Sequence, residues 1–112
     1  MNVVRVKPGV EFTVIAPGGF VLLSAIQQAA TTCGLDLTIT SACDGVHSGL
    51  GDPHHRGEAY DVRTKDMTAE QKQSNMEYLR TTLGDKFYVF LESPDSENEH
   101  FHGQVRKGTV YP

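Results

Sequence analysis

The apolar period of this chain changes abruptly at Gly34, and that change constrains the fold more than any other feature. Val21, Leu22, Ala25, Ile26, Ala29, Ala30 and Cys33 recur at three- and four-residue intervals. This predicts a helix over Phe20 to Cys33 with one apolar stripe, closed by Gly34 at its C-terminus. Over Leu35 to Ser41 the interval drops to two, with Leu35, Leu37 and Ile39 set against Asp36, Thr38 and Thr40, the pattern of a strand with one buried face. A striped helix followed at once by a half-buried strand predicts a helix laid on a sheet.

The remaining segments fit the same scheme. Val3 to Val6 and Glu11 to Ile15 read as short strands around the Lys7-Pro8-Gly9 turn, and Ala16-Pro17-Gly18-Gly19 reads as a closing turn. Glu58 to Arg63 is a further short strand. Thr68-Ala69-Glu70-Gln71 has the form of a capping box, opening a helix whose stripe is Met76, Leu79 and Leu83 and which stops at Gly84. Phe87 to Glu92 and His100 to Arg106 are strands joined by the polar connection Ser93 to Glu99, read as a hairpin loop. The expected fold is α+β, with two helices packed on a mostly antiparallel sheet, in a single domain over residues 1–112.

Composition excludes several classes of function. With ten Lys and Arg against fourteen Asp and Glu, the formal net charge is -4, and no basic run interleaved with aromatics offers a nucleic-acid surface. The longest apolar stretch, Phe20 to Leu23, is far too short to cross a bilayer. The N-terminal segment carries Lys7 and Pro8 where a secretory signal has its apolar region, so a chain that is cytoplasmic at synthesis is expected. Cys33 and Cys43 make neither a disulfide framework nor a CxxC site and read as ordinary semi-buried thiols. No partner nucleic acid or membrane is expected, and a monomer suffices.

Chemistry concentrates in two histidine clusters. His47, His54 and His55 lie in the Gly-rich stretch Gly45 to Gly57, read as a functional loop, and His100 and His102 lie on the last strand. His54 precedes Asp61 by seven residues, which would span about 23 Å if extended, so two ligands of one ion at these positions need a reversal between them, and Gly57 permits one. On the last strand, His100 and His102 share a face while Phe101 and Val105 take the other. Carried across the hairpin, this parity matches Val89 and Leu91 with the core side and Glu92 with the two histidines. Two His and one Asp with an open fourth position form a catalytic zinc arrangement, with a nearby Glu to take a proton from water.

The pattern His54-x-x-Gly57-x-Ala59-x-Asp61, followed by a late His-x-His strand, resembles the zinc peptidases that include D-alanyl-D-alanine carboxypeptidases and L-alanyl-D-glutamate endopeptidases, and the related Hedgehog domain. The resemblance runs from about Thr38 to Arg106 and includes Ile39-Thr40-Ser41 and Phe90-Leu91-Glu92-Ser93. It implies a Hedgehog/DD-peptidase-like fold, Zn2+ held by His54, Asp61 and His102, Glu92 as general base, and His100 beside the reacting centre. A Glu-x-x-His variant of the pattern would instead make Glu97 the base and His100 the ligand. The implied substrate is a peptidoglycan stem peptide containing a D-amino acid, cut by an enzyme released to act on the cell wall.

The chain departs from that pattern at two places. It has Asp52 where the family usually has Ser, and Ala42-Cys43-Asp44-Gly45 where an Arg often holds a substrate carboxylate. A carboxylate on the substrate would need another cation, Arg56, Arg63 or Arg106. The plainer readings of the same residues are a His54–Asp61 pair that orders a loop, His47 and His55 as supporting or exposed groups, and Asp95, Glu97 and Glu99 as a solvated acidic loop. Tyr60 and Tyr88 read as packing residues. A non-catalytic zinc-binding module, or a metal-free cell-wall-binding module, of the same fold is the alternative function.

Overall fold

A computed structural model describes residues 2–44 and 52–109; His47 and the first part of the Gly-rich loop lie outside them. The elements run β1 (Val4–Val6), α1 (Pro17–Cys33), β2 (Leu37–Ser41), β3 (Ala59–Arg63), α2 (Ala69–Leu83), a short 3-10 turn (Gly84–Lys86), β4 (Phe87–Glu92) and β5 (His100–Val105). The five strands form one sheet in the order β1-β2-β3-β5-β4. Among the described residues only the β1–β2 pairing is parallel, so the sheet is mixed but mostly antiparallel, and two helices pack on it in a small α+β domain.

One face of the sheet is apolar and lies under both helices. Tyr60 and Val62 of β3, Val89 and Phe87 of β4, and Phe101 and Val105 of β5 join Leu22, Ala25, Ile26, Ala29 and Ala30 of α1 and Leu79 and Leu83 of α2 in one buried cluster. Removing this much apolar surface from water is the main force that holds the helices on the sheet. Gly103 belongs to the same face, where a Cβ would sit 3.1 Å from a methyl of Leu22, so the missing side chain lets α1 come close to β5. Tyr60 is fully buried there, and burial pushes its phenol up to about 12.

The capping box at α2 is present in full. The Thr68 hydroxyl accepts from the Gln71 N–H at 3.1 Å, and the Gln71 amide oxygen accepts from the Thr68 N–H at 2.9 Å. Three expectations need correction. Helix α1 begins at Pro17, not Phe20, because proline suits the first helical position, and Gly19 packs where a Cβ would run into the Gly57 carbonyl. Glu11 to Ile15 is not a strand. It is held by isolated bonds, with the Cys43 N–H on the Glu11 carbonyl, the Glu11 N–H on the Asp44 carboxylate and the Cys43 thiol on the Val14 carbonyl, rather than by a ladder. Leu35 belongs to the close of α1, its N–H bonding the Ala30 carbonyl, and β2 starts two residues later at Leu37.

Candidate metal centre

The polar side of the sheet gathers residues that are distant in sequence. In the β3–β5 ladder Asp61 stands directly opposite His102 and Arg63 opposite His100, and in the β4–β5 ladder Phe90 stands opposite His102 and Glu92 opposite His100. Alternation then puts Asp61, Glu92, His100 and His102 on one face, the arrangement expected from parity. The fourth strand-borne contribution comes from a break in β2. Ile39 pairs with Val62 and Ser41 with Asp61, so β2 carries an extra residue there. Such a bulge bends its strand. The chain leaves the bulge into Ala42, whose carbonyl meets Nδ1 of His54 at 2.9 Å.

His54 reaches the centre from the turn before β3. The His54 N–H bonds the Asp52 carboxylate at 2.9 Å, and the turn closes through Gly57, whose φ of 71° is in the left-handed region. A Cβ at Gly57 would also collide with the Val14 backbone, so this position requires glycine for space as well as for conformation. His54 is 4 % exposed and His102 7 %, with their rings 5.1 Å apart edge to face. Phe90 stacks on the His102 ring at 5.0 Å.

Each of the three imidazoles is oriented by an oxygen outside the cluster. Nδ1 of His54 faces the Ala42 carbonyl, Nδ1 of His100 faces the Asn98 carbonyl at 2.6 Å, and Nε2 of His102 faces the Gln104 amide oxygen at 2.7 Å. Those oxygens only accept, so these three ring nitrogens are the N–H donors. The opposite nitrogens all turn inward. His54 Nε2 lies 3.4 Å and His102 Nδ1 3.0 Å from Asp61 Oδ1, while His100 Nε2 lies 3.6 Å from Asp61 Oδ2 and 2.9 Å from Glu92 Oε1.

With inward nitrogens and carboxylate oxygens converging, the centre is rich in lone pairs and calls for positive charge. Protons can supply it. Burial alone would lower the pKa of His102, but the hydrogen bond with Asp61 and the charges of Asp61 and Glu92 raise it. Burial alone would raise that of Asp61, but hydrogen bonds from His102 and His54 and the charges of His54 and His100 hold it well below the usual carboxylate range. A metal ion can supply the charge instead. Ligand atoms at about 2.0–2.1 Å from a tetrahedral ion are about 3.3 Å apart, and the two edges measured to Asp61 Oδ1 are close to that length.

Two groups of side chains among the described residues could hold a metal ion, His54-Asp61-His102 and Asp61-Glu92-His100, each with its donor atoms within 4.8 Å of one another. They share Asp61. All five residues singled out in the sequence therefore come together. His55 is partly buried and belongs to neither group. Glu97 is exposed and lies in neither group.

Glu99 corrects the reading of a solvated acidic loop. It is 5 % exposed, hydrogen-bonded to the Thr64 hydroxyl at 2.6 Å and to the Asp95 N–H at 2.8 Å, and ion-paired with Lys72. Those contacts, Lys72 first, bring its carboxyl down to about 2. It stands three residues before His102 but is tied to α2 and the end of β3. Gln104 was missed in the sequence, although its place two residues beyond His102 on the same strand was a sufficient signal. Cys33 and Cys43 are both free thiols, and burial raises the pKa of Cys33. Comparison of the chain with models of known families, with characterised proteins and with solved structures finds no match.

Proposed function

We propose that the chain is a zinc-dependent peptidase that hydrolyses a D-amino-acid-containing stem-peptide bond of peptidoglycan. One observation carries the reading: three imidazoles are each pinned by an outside acceptor so that their free nitrogens converge on Asp61. Outer acceptors of this kind fix the tautomer of metal-bound histidine and make the inward nitrogen more basic. His54, Asp61 and His102 are the better-buried group and hold the ion. Glu92 and His100 border it on the more open side, where a substrate can reach them.

When bound, zinc supplies a Lewis acid that acidifies water and polarises a carbonyl. The protein's own groups do the rest. The Glu92 carboxylate, 42 % exposed, takes a proton from the attacking water and delivers it to the leaving amine. As an imidazolium, His100 gives its Nδ1 hydrogen to the Asn98 carbonyl and its Nε2 hydrogen to the Glu92 carboxylate, and once Glu92 has taken up the proton of water the Nε2 hydrogen is free to bond the oxygen on which negative charge develops. Phe90 holds His102 by stacking on its ring and Gln104 by accepting from its Nε2. The bond and the D-configuration rest on the resemblance of the His54 to Asp61 segment and the His-x-His strand to the zinc D-amino-acid peptidases.

Elemental analysis of protein purified without chelators is expected to give one zinc per chain, and a value far below one rejects the reading. Glu92→Gln is expected to abolish release of product from purified peptidoglycan fragments while the zinc content is unchanged. Glu97→Gln should leave turnover near wild type, and the opposite result for these two variants would move the base to Glu97. A chain that holds zinc and cleaves no fragment is the non-catalytic module.

A further inference from the structure

The metal centre opens on one side into a cavity of about 630 Å³ with an unusual charge pattern. Asp61 and His100 of the centre line it, together with the cations Lys7, Arg63 and Lys65 and the acids Glu97 and Glu99. The charge of Glu99 is already balanced by Lys72, and the Thr64 hydroxyl donates a hydrogen bond to it. Asp61 is satisfied by the histidines around it. Three cations therefore face one exposed carboxylate beside the centre, although the chain as a whole is acidic. The cavity suits an anionic group.

Of these cations Arg63 is the best placed. It is half-buried on β3, two residues beyond Asp61 on the same face and directly opposite His100 in the ladder. Among the described residues no hydrogen bond or ion pair engages its guanidinium. Arg56 and Arg106 are disposed differently. Arg56 is paired with Glu58 at 2.7 Å, Arg106 lies over the Tyr88 ring, and both line a separate cavity with Pro53. Same-face positions two apart on a strand are about 7 Å from each other, and a peptide residue spans about 3.5 Å. An anion held by Arg63 thus lies about two residues from a carbonyl at Asp61.

We infer that Arg63, supported by Lys7 and Lys65, binds a carboxylate of the substrate within about two residues of the scissile bond and so determines specificity. This rests on the peptidase reading above. A planar guanidinium can grip a carboxylate through two parallel hydrogen bonds, which ammonium groups cannot do, so the lysines contribute field and Arg63 contributes geometry. In a stem peptide two carboxylates qualify, the C-terminal one and the α-carboxylate left free by a γ-linked D-glutamate. The chemistry is the same in both cases.

The test uses zinc-loaded full-length Glu92→Gln protein, so that binding is measured without turnover. Calorimetric titration compares a stem pentapeptide with both carboxylates free, the same peptide amidated at its C-terminus, and the same peptide amidated at the D-glutamate α-carboxylate. One amidation is expected to weaken binding about 10- to 100-fold, the range of a lost charged hydrogen bond, and its position identifies the carboxylate. Adding Arg63→Ala should weaken the free-acid peptide by the same factor and leave that amide unaffected, while Arg63→Lys recovers part of the loss. Equal weakening of all three peptides by Arg63→Ala, or no carboxylate preference in the presence of Arg63, overturns the inference. Hydrolysis by the unsubstituted protein is scored separately: carboxylate preference without hydrolysis overturns the peptidase and leaves the Arg63 site standing.

Discussion

At the scale of single residues, the proposed metal centre depends as much on groups outside the His–Asp cluster as on those within it. Gln104 holds His102 by its outer nitrogen. Gln104→Ala is expected to weaken zinc binding about 10- to 100-fold without removing a ligand, as measured by competition with a chromogenic chelator. Glu99 binds Lys72, Thr64 and the Asp95 N–H together, immediately before His100. Glu99→Gln leaves Lys72 beside a neutral amide and should cost about 3 kcal/mol at neutral pH by urea denaturation. His54 and Asp61 stood out in the sequence by their spacing around Gly57, and the shared face of Glu92, His100 and His102 by strand parity, whereas the choice of His102 as third ligand came from the resemblance to the zinc peptidases. The Ala42 and Asn98 carbonyls did not stand out, since every residue has a carbonyl and only the fold decides where it points. Glu99 was misread because its acidic neighbours Asp95 and Glu97 are exposed, and nothing local marks Lys72 as its partner.

Among the elements, the turn that delivers His54 is the most exacting. Gly57 combines a left-handed φ with contact against Val14, and its carbonyl receives the Ala16 N–H just before α1. Gly57→Ala is expected to destabilise the fold by more than about 2 kcal/mol and to lower zinc stoichiometry at a temperature where the chain is still folded, checked by thermal denaturation and elemental analysis. The strands and helices with regular periods, β2, α2, β4 and β5, were legible within a residue or two. The segment before α1 was not, because Ala16-Pro17-Gly18-Gly19 has turn composition. Gly19 is small where α1 meets the Gly57 carbonyl, and Pro17 starts the helix. The bulge in β2 was also hidden, since Leu35 to Ser41 alternates evenly and only the partner strand reveals the extra residue.

For the molecule as a whole, stability should depend on acid and on metal. Glu99 has a folded pKa of about 2, below its ordinary 4.5. A depressed carboxyl stabilises the fold fully above the ordinary value and loses that contribution as pH falls through the folded one. The stability gap between wild type and Glu99→Gln should therefore narrow as pH drops from above 4.5 toward 2, as read by urea midpoints. Zinc at about 1,000 times its dissociation constant would add about 4 kcal/mol, so stripping it should lower the melting temperature by about 15 °C or more. Asp61 and His102 are 41 positions apart and meet only once β5 lies along β3. During refolding a dissolved ion finds at most the His54–Asp61 half of its cage, so zinc should leave the refolding rate nearly unchanged and slow the unfolding rate in stopped-flow traces. On the zinc reading the ion would act as a latch on a finished molecule, and how long a copy survives in a harsh medium would be set by how slowly that latch is released.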